Sequence, residues 1–178
     1  MKKLSVISLA ILMVFMSWSA STAFAELSLN FAIGRGNDSS TTYDPYAQYT
    51  FNPWVSGENF ELRPFATGGM TFWDDHDTSD SVWGILASLG LRLAYTGGDI
   101  QPYLSLNAGP SYISQKQFVH RDLGGHFIFN TRVMLGLSFG QDLRHTISAH
   151  GTHYSNARTQ SENDGFNTYG LAYGFSFY

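Results

Sequence analysis

The chain has no cysteine, so neither a disulfide framework nor a thiolate metal site can hold it together. Charge is scarce as well: only 13% of the residues are charged, and 10 Lys plus Arg are outnumbered by 14 Asp plus Glu. A formal net charge of −4 excludes a general nucleic-acid binder, which needs a basic surface. Long apolar runs are missing beyond the first segment, so no spanning helix is expected there. That first segment is different: Lys2-Lys3 gives a basic start, Leu4 to Met16 is mostly apolar, and Ala23-Phe24-Ala25 supplies small residues for cleavage. Residues 1–25 are predicted to be a secretory signal peptide, and 26–178 one mature domain. What the chain has in plenty is aromatic side chains, at 16%. Many aromatics with few charges suit an apolar exterior as well as a large core.

The last stretch shows how these residues are arranged. Tyr169, Leu171, Tyr173, Phe175 and Phe177 are large, whereas Gly170, Ala172, Gly174 and Ser176 between them are small. Such period-two alternation predicts a strand. It recurs at Leu27 to Ile33, Trp83 to Tyr95 and Phe127 to Phe139, and less regularly at 43–51, 60–72, 100–113 and 143–156. Eight strands result, the smallest usual transmembrane barrel. Short turns are expected near 52–57, 96–99 and 140–142. Longer polar loops are expected near 35–42, 74–81, 115–125 and 158–165, the asymmetry of short periplasmic turns and longer outer loops. The fold class is therefore all-β, an eight-stranded antiparallel outer-membrane barrel. Glu61, Arg63, Arg92, Asn107, Asn130 and Arg132 take the phase opposite the large apolar residues and are expected inside, filling the lumen as a plug. A lipocalin-like barrel would place the apolar residues inward around a ligand and leave the protein soluble.

One segment carries candidate chemistry. In His153-Tyr154-Ser155-Asn156-Ala157 an imidazole and a hydroxyl stand two residues apart on a predicted strand. Residues i and i+2 of a strand share a face, with Cα atoms about 7 Å apart. A histidine base can close that gap to a serine nucleophile. Ile147 and Ala149 put the odd positions of this strand on the lipid face, at its extracellular end. His153 and Ser155 are thus expected to look outward into the outer leaflet, where polar groups cost little near the interface.

From Thr152 to Tyr178 the chain resembles the lipid A 3-O-deacylases, outer-membrane barrels with an H-x-S-N-A motif. His153, Ser155, Asn156 and Ala157 match that motif, and Asn163-Asp164-Gly165 follows where the family has a similar turn. The aromatic Tyr178 resembles the terminal signature of such barrels. The resemblance implies Ser155 as nucleophile, His153 as its base and Asn156 as an oxyanion-hole donor, through side chain or backbone N–H. The orienting residue, fourteen positions after the histidine, is a glutamate in the family; here it is Asn167. An asparagine can hold an imidazole but cannot neutralise an imidazolium. Glu162 and Asp164 are nearby carboxylates that could substitute. Arg158 stands where the family has glycine; it leaves a backbone donor in place and could meet a lipid phosphate or simply be solvated.

The implied activity is hydrolysis of an ester-linked acyl chain of lipid A, or lipopolysaccharide, in the bacterial outer membrane. The implied partners are that substrate and the surrounding lipids, with no nucleic acid, and a homodimer is allowed. A different class, a catalytically silent structural or adhesive barrel, would carry the same His and Ser as plain rim residues. No cofactor and no metal are expected. Asp74-Asp75-His76-Asp77 has carboxylates at short spacing but no glycine-centred cation loop, and reads as a solvated outer loop. Lys116, His120 and Arg121 are dispersed bases of another outer loop, and His145 and His150 take opposite phases of one strand.

Overall fold

Alternation becomes a closed wall in the computed structural model, which describes residues 26–37 and 39–177. The predicted signal peptide and Tyr178 lie outside the described residues. The wall consists of β1 (Glu26–Gly36), β2 (Thr41–Thr50), β3 (Phe60–Asp74), β4 (Ser81–Tyr95), β5 (Gln101–Ile113), β6 (Phe127–Phe139), β7 (His145–Ser155) and β8 (Phe166–Phe177). Each strand pairs antiparallel with its sequence neighbours, and β1 with β8 closes the ring. Closure leaves every strand with a partner on both sides, which removes the exposed sheet edge that neither water nor lipid would tolerate.

The distribution of side chains is inside out. Leu27, Leu29, Phe31 and Ile33 of β1, Leu89 and Leu93 of β4, Leu135 of β6 and Leu171 of β8 are all exposed on the outer face. The alternate positions point inward and are polar or small: Ser28, Thr42, Asp44, Ser88, Ser105, Asn107, Asn130, Arg132, Ser148 and Thr152 are buried. This phase excludes the lipocalin-like arrangement and is that of a transmembrane barrel.

The lumen is filled, as expected, rather than open. Interior pockets lined by residues such as Tyr46, Thr67, Asn107 and Met134 hold about 10 Å³ each, room for roughly one water. At its centre Arg132 pairs with Asp44 through Nη2 and Oδ2, and its Nε donates to Thr152 Oγ1 at 2.8 Å. Asp44 also accepts the Thr71 hydroxyl at 2.6 Å, and Thr71 in turn accepts from Trp73 Nε1 at 2.7 Å and from the Tyr154 hydroxyl at 3.4 Å. Asn107 and Asn130 are buried too, and Arg92 lies over the Tyr103 ring at 3.8 Å. Glu61 and Arg63, also expected inside, form an ion pair of 2.6 Å near the periplasmic mouth, where they stay partly hydrated.

The extracellular mouth is closed by an apolar cluster of Trp73, Val82, Ile113, Phe118, Leu123, Ile128, Tyr154 and Phe166. Phe118 and Leu123 come from the 114–126 loop, so this loop folds into the barrel top instead of standing in water. A two-residue ladder, Gln117–Phe118 with Arg121–Asp122, makes the fold-back.

The expected loop asymmetry holds only in part. The first outer connection is 37–40, shorter than the periplasmic connection 51–59. β1 and β2 continue their pairing to Arg35 and Thr41, which uses up residues assigned to the loop from their polarity. On the periplasmic side Val55–Ser56 pairs with Leu62 and Glu61, so that longer turn is a bent extension of the sheet.

Two outcomes follow from this packing. Asp44→Ala leaves the buried Arg132 without its counter-charge and should destabilise the barrel by about 3–5 kcal/mol, read from urea unfolding of the micelle-embedded protein. Acid should loosen the outer loops. The Gly124 N–H bond to Asp122, helped by the Gln117 amide, holds the Asp122 carboxyl below its usual range. Its stabilising effect is therefore present above the ordinary carboxylate pKa and lost as pH falls through the depressed one. Amide exchange in 114–126 should rise only below about pH 4. Protection unchanged down to full protonation would disprove the linkage.

Candidate active site

β7 runs from the periplasmic turn to the outer rim, and its last residues decide the site. Tyr154 is completely buried, with its ring 4.9 Å from Trp73 and 6.4 Å from Phe166. Thr152 is buried beneath Arg132. With 152 and 154 fixed inward, the pleat turns His153 and Ser155 outward. His153 is exposed and Ser155 half-buried, on the same face as Ile147 and Ala149.

His153 lies opposite Asn167 of β8 and Thr131 of β6. Its Nδ1 is 2.7 Å from Asn167 Oδ1. With the amide oxygen facing the ring, Nδ1 carries the proton and donates it, which leaves Nε2 as an unprotonated base. Among the described residues neither Nε2 nor the Ser155 hydroxyl has a hydrogen-bond partner, so the two are adjacent on one face without being joined. In unliganded sites such bonds are often long and tighten in the substrate complex. Glu162 is exposed, and the Asp164 carboxylate accepts the Asp122 N–H at 2.7 Å. Neither replaces Asn167 beside the ring.

Asn156 is fully buried, and all its N–H groups are engaged. Its backbone N–H donates to Asn163 Oδ1 at 2.9 Å. Its Nδ2 donates to the carbonyls of Leu123, at 3.0 Å, and Glu162, while its Oδ1 accepts from Arg158 N–H at 2.9 Å. Asn156 thus ties the turn after Ser155 to both outer loops. In that turn Ala157 and Arg158 take left-handed backbone angles, φ 53° and 63°, and among the described residues no hydrogen bond uses the Ala157 N–H. Arg158 itself is exposed.

Two supporting residues escaped the sequence. Asn37 grips the backbone of Asn167 from both sides: Asn37 N–H donates to Asn167 O, and Asn167 N–H donates to Asn37 Oδ1, each at 3.0 Å. It continues the β1–β8 ladder one step past Gly36, and nothing marks it within a polar loop. Gly165, buried at φ 65°, packs on the imidazole; an added Cβ would stand 3.1 Å from His153 Cε1. A glycine following Asn-Asp signals a turn, but not which ring covers it.

Below the pair the outer wall is hollow. The outward residues of β7 are small there, Gly151 and Ala149, while Leu135 and Leu137 of β6 and Leu171 of β8 stand higher on either side. Leu135, Leu137 and Leu171, with Ala149, Ile147 and Pro102, line a shallow apolar hollow of about 430 Å³, open to lipid. The Tyr169 ring lies across Gly151, 3.4 Å from where its Cβ would be.

The other motifs do different work. The Asp75 carboxylate accepts Thr78 Oγ1 and the N–H groups of Thr78 and Asp77, and His76 Nε2 meets Thr41 Oγ1 at 2.7 Å. The 74–77 segment is thus an ordered turn. Arg121 donates to Gly165 O at 3.3 Å, whereas Lys116 and His120 are exposed. His145 meets the Tyr173 hydroxyl at 2.7 Å on the outer wall, and His150 is buried in the lumen.

The chain is similar to known proteins. The family described as lipid A 3-O-deacylase (PagL) matches residues 38–176. The lipid A deacylase PagL of Pseudomonas aeruginosa is 25% identical over 174 residues, 97% of this chain and 98% of that one. A crystal structure of the outer membrane enzyme PagL superimposes with a TM-score of 0.76 at 22% identity, covering 83% of this chain and 98% of that one. A match this long, over a barrel of the same architecture, places the chain in the lipid A 3-O-deacylase (PagL) family.

Proposed function

We propose that this protein is a serine esterase of the outer membrane that removes an ester-linked acyl chain from lipid A. The observation that carries the reading is the outward pair: His153 hydrogen-bonded to Asn167 on the lipid face, with Ser155 next to it on the same face. A lipid standing in the outer leaflet can present its ester to that face without leaving the membrane.

In this reading His153 Nε2 takes the proton of Ser155 Oγ as the oxygen attacks the ester carbonyl. The tetrahedral intermediate collapses, the sugar oxygen leaves with the proton from Nε2, and the acyl group stays on Ser155. Water, deprotonated by the same nitrogen, then releases the fatty acid and restores the serine. Asn167 holds the ring in the tautomer that keeps Nε2 basic. Because the N–H groups of Asn156 are occupied within the protein, Asn156 serves the reaction by holding the turn. The unpartnered Ala157 N–H is the donor best supported for the developing oxyanion. The acyl chain descends the outer face past the Tyr169 ring towards the apolar hollow at Ala149.

A neutral orienter favours one competing reading, a silent barrel, because Asn167 cannot offset the imidazolium charge. Mass spectrometry of lipid A from cells with and without the protein separates the two. The enzyme predicts loss of one acyl chain in its presence, and Ser155→Ala should abolish that loss while the barrel stays folded. An unchanged spectrum with folded wild-type protein supports the silent barrel.

Asn167→Glu should raise kcat, by about tenfold for each pKa unit of imidazolium stabilisation gained. A carboxylate beside the ring favours its charged form, so the acid limb of the pH profile should move to higher pH in this variant. Ala149→Trp, which fills the hollow, should lower kcat/KM for long-chain esters by about tenfold and leave short-chain esters nearly unchanged. Equal losses on both would remove the hollow from the acyl site.

A further inference from the structure

The outer face of the wall is largely apolar, and several of its polar positions gather in one place. Thr131 of β6, His153 and Ser155 of β7 and Asn167 of β8 lie side by side near the extracellular rim. Arg35 belongs to the same patch. It is exposed, in the phase of Leu29, Phe31 and Ile33, and sits directly opposite Tyr169 of β8. No other Lys or Arg among the described residues takes the outward phase of the eight strands. Arg63, Arg92 and Arg132 all point into the lumen.

Among the described residues Arg35 makes no hydrogen bond, ion pair or ring contact, in contrast to Arg63, Arg92 and Arg132, each of which has a partner. An arginine on a barrel's lipid face costs about 2–4 kcal/mol at the midplane and about 0–1 near the interface. An arginine there is tolerable where its long stem can carry the guanidinium towards the headgroup level. His153 and Asn167 stand two residues nearer the rim than the Arg35 backbone, within the reach of such a stem. Two strand spacings separate β1 from β7, roughly 10 Å across the wall. Through Tyr169, Arg35 is in register with Gly151, four residues below Ser155, so the Cα atoms of Arg35 and Ser155 lie roughly 16 Å apart, about 10 Å across and about 13 Å along the strands. An arginine within a headgroup's span of a serine that attacks an acyl ester on a sugar is placed for an anion on the same glycolipid. Planar bidentate recognition of phosphate is what arginine does best.

We propose that Arg35 binds a phosphate group of the lipid A headgroup and so sets which glycolipids place an ester at Ser155. This rests on the deacylase reading of the site, but its test does not need turnover. With Ser155→Ala to prevent hydrolysis, native mass spectrometry of the detergent-solubilised barrel measures retention of three lipids. They are phosphorylated lipid A, the same lipid A with its phosphates removed, and phosphatidylglycerol. With Arg35 present, phosphorylated lipid A should be retained about tenfold better than the dephosphorylated form, as expected for one charge-assisted contact. Arg35→Gln should abolish that difference and Arg35→Lys retain part of it, with the heat-modifiable electrophoretic shift of the folded barrel unchanged. The same preference in Arg35→Gln would overturn the proposal. So would equal losses of lipid A and phosphatidylglycerol, which would make Arg35 a general interfacial anchor. Failure of the deacylase reading appears separately, as unaltered lipid A in cells carrying the wild-type protein.

Discussion

The pleat of β7 depends on one buried polar knot. Arg132 reaches from β6 to Asp44 on β2 and to Thr152 on β7, and Asp44 leads through Thr71 to Trp73 and Tyr154. Four strands are tied across the lumen by it. Two of its members, Thr152 and Tyr154, are the inward neighbours of His153 and Ser155. Rotating β7 to turn the pair inward would expose a tyrosine and bury an imidazole, and would leave a buried arginine short of a partner. Each of those costs is of the order of a few kcal/mol. The outward aim of the pair is thus decided inside the barrel, by residues that never meet a substrate.

This division separates stability from chemistry. In a water-soluble hydrolase the nucleophile lies in a pocket whose walls are also the core. Here the core is the lumen, and the proposed reactive face is the outer wall. Lipid provides what a pocket otherwise would, a medium of low dielectric around the developing charge. It also presents its ester already oriented at the interface. The protein adds only a short polar row and a hollow of small residues beneath it.

The barrel was legible because alternation is a direct imprint of the two faces. Large residues at Tyr169, Leu171 and Tyr173 against Gly170, Ala172 and Gly174 can mean little else than a strand with one apolar side. The phase of His153 followed from Ile147 and Ala149 by counting. Connection lengths were less legible, since polarity does not say where pairing stops: Arg35 and Thr41 look like loop and belong to the ladder. The contacts of Asn156 were not legible at all. The motif marks it as a functional position, but its amide is shared with Leu123, thirty-three residues away, and no periodicity encodes that contact. Asn37 is hidden for the same reason, as a partner of Asn167 across 130 residues.

Asn156 also connects the motif to the rim as a whole. Five of its hydrogen bonds go to the segment 158–163 and one to Leu123, in the loop whose apolar residues close the barrel mouth. Asp122 and Asp164 bind each other's backbone N–H or carbonyl across the same two loops. The lid over the lumen and the turn behind Ser155 are therefore one hydrogen-bonded unit. Its order fixes the left-handed angles at Ala157 and Arg158, a conformation that non-glycine residues adopt only when their surroundings enforce it. A turn held this firmly keeps the Ala157 backbone in one conformation whether or not a substrate is present. Such preorganisation is what an oxyanion donor requires.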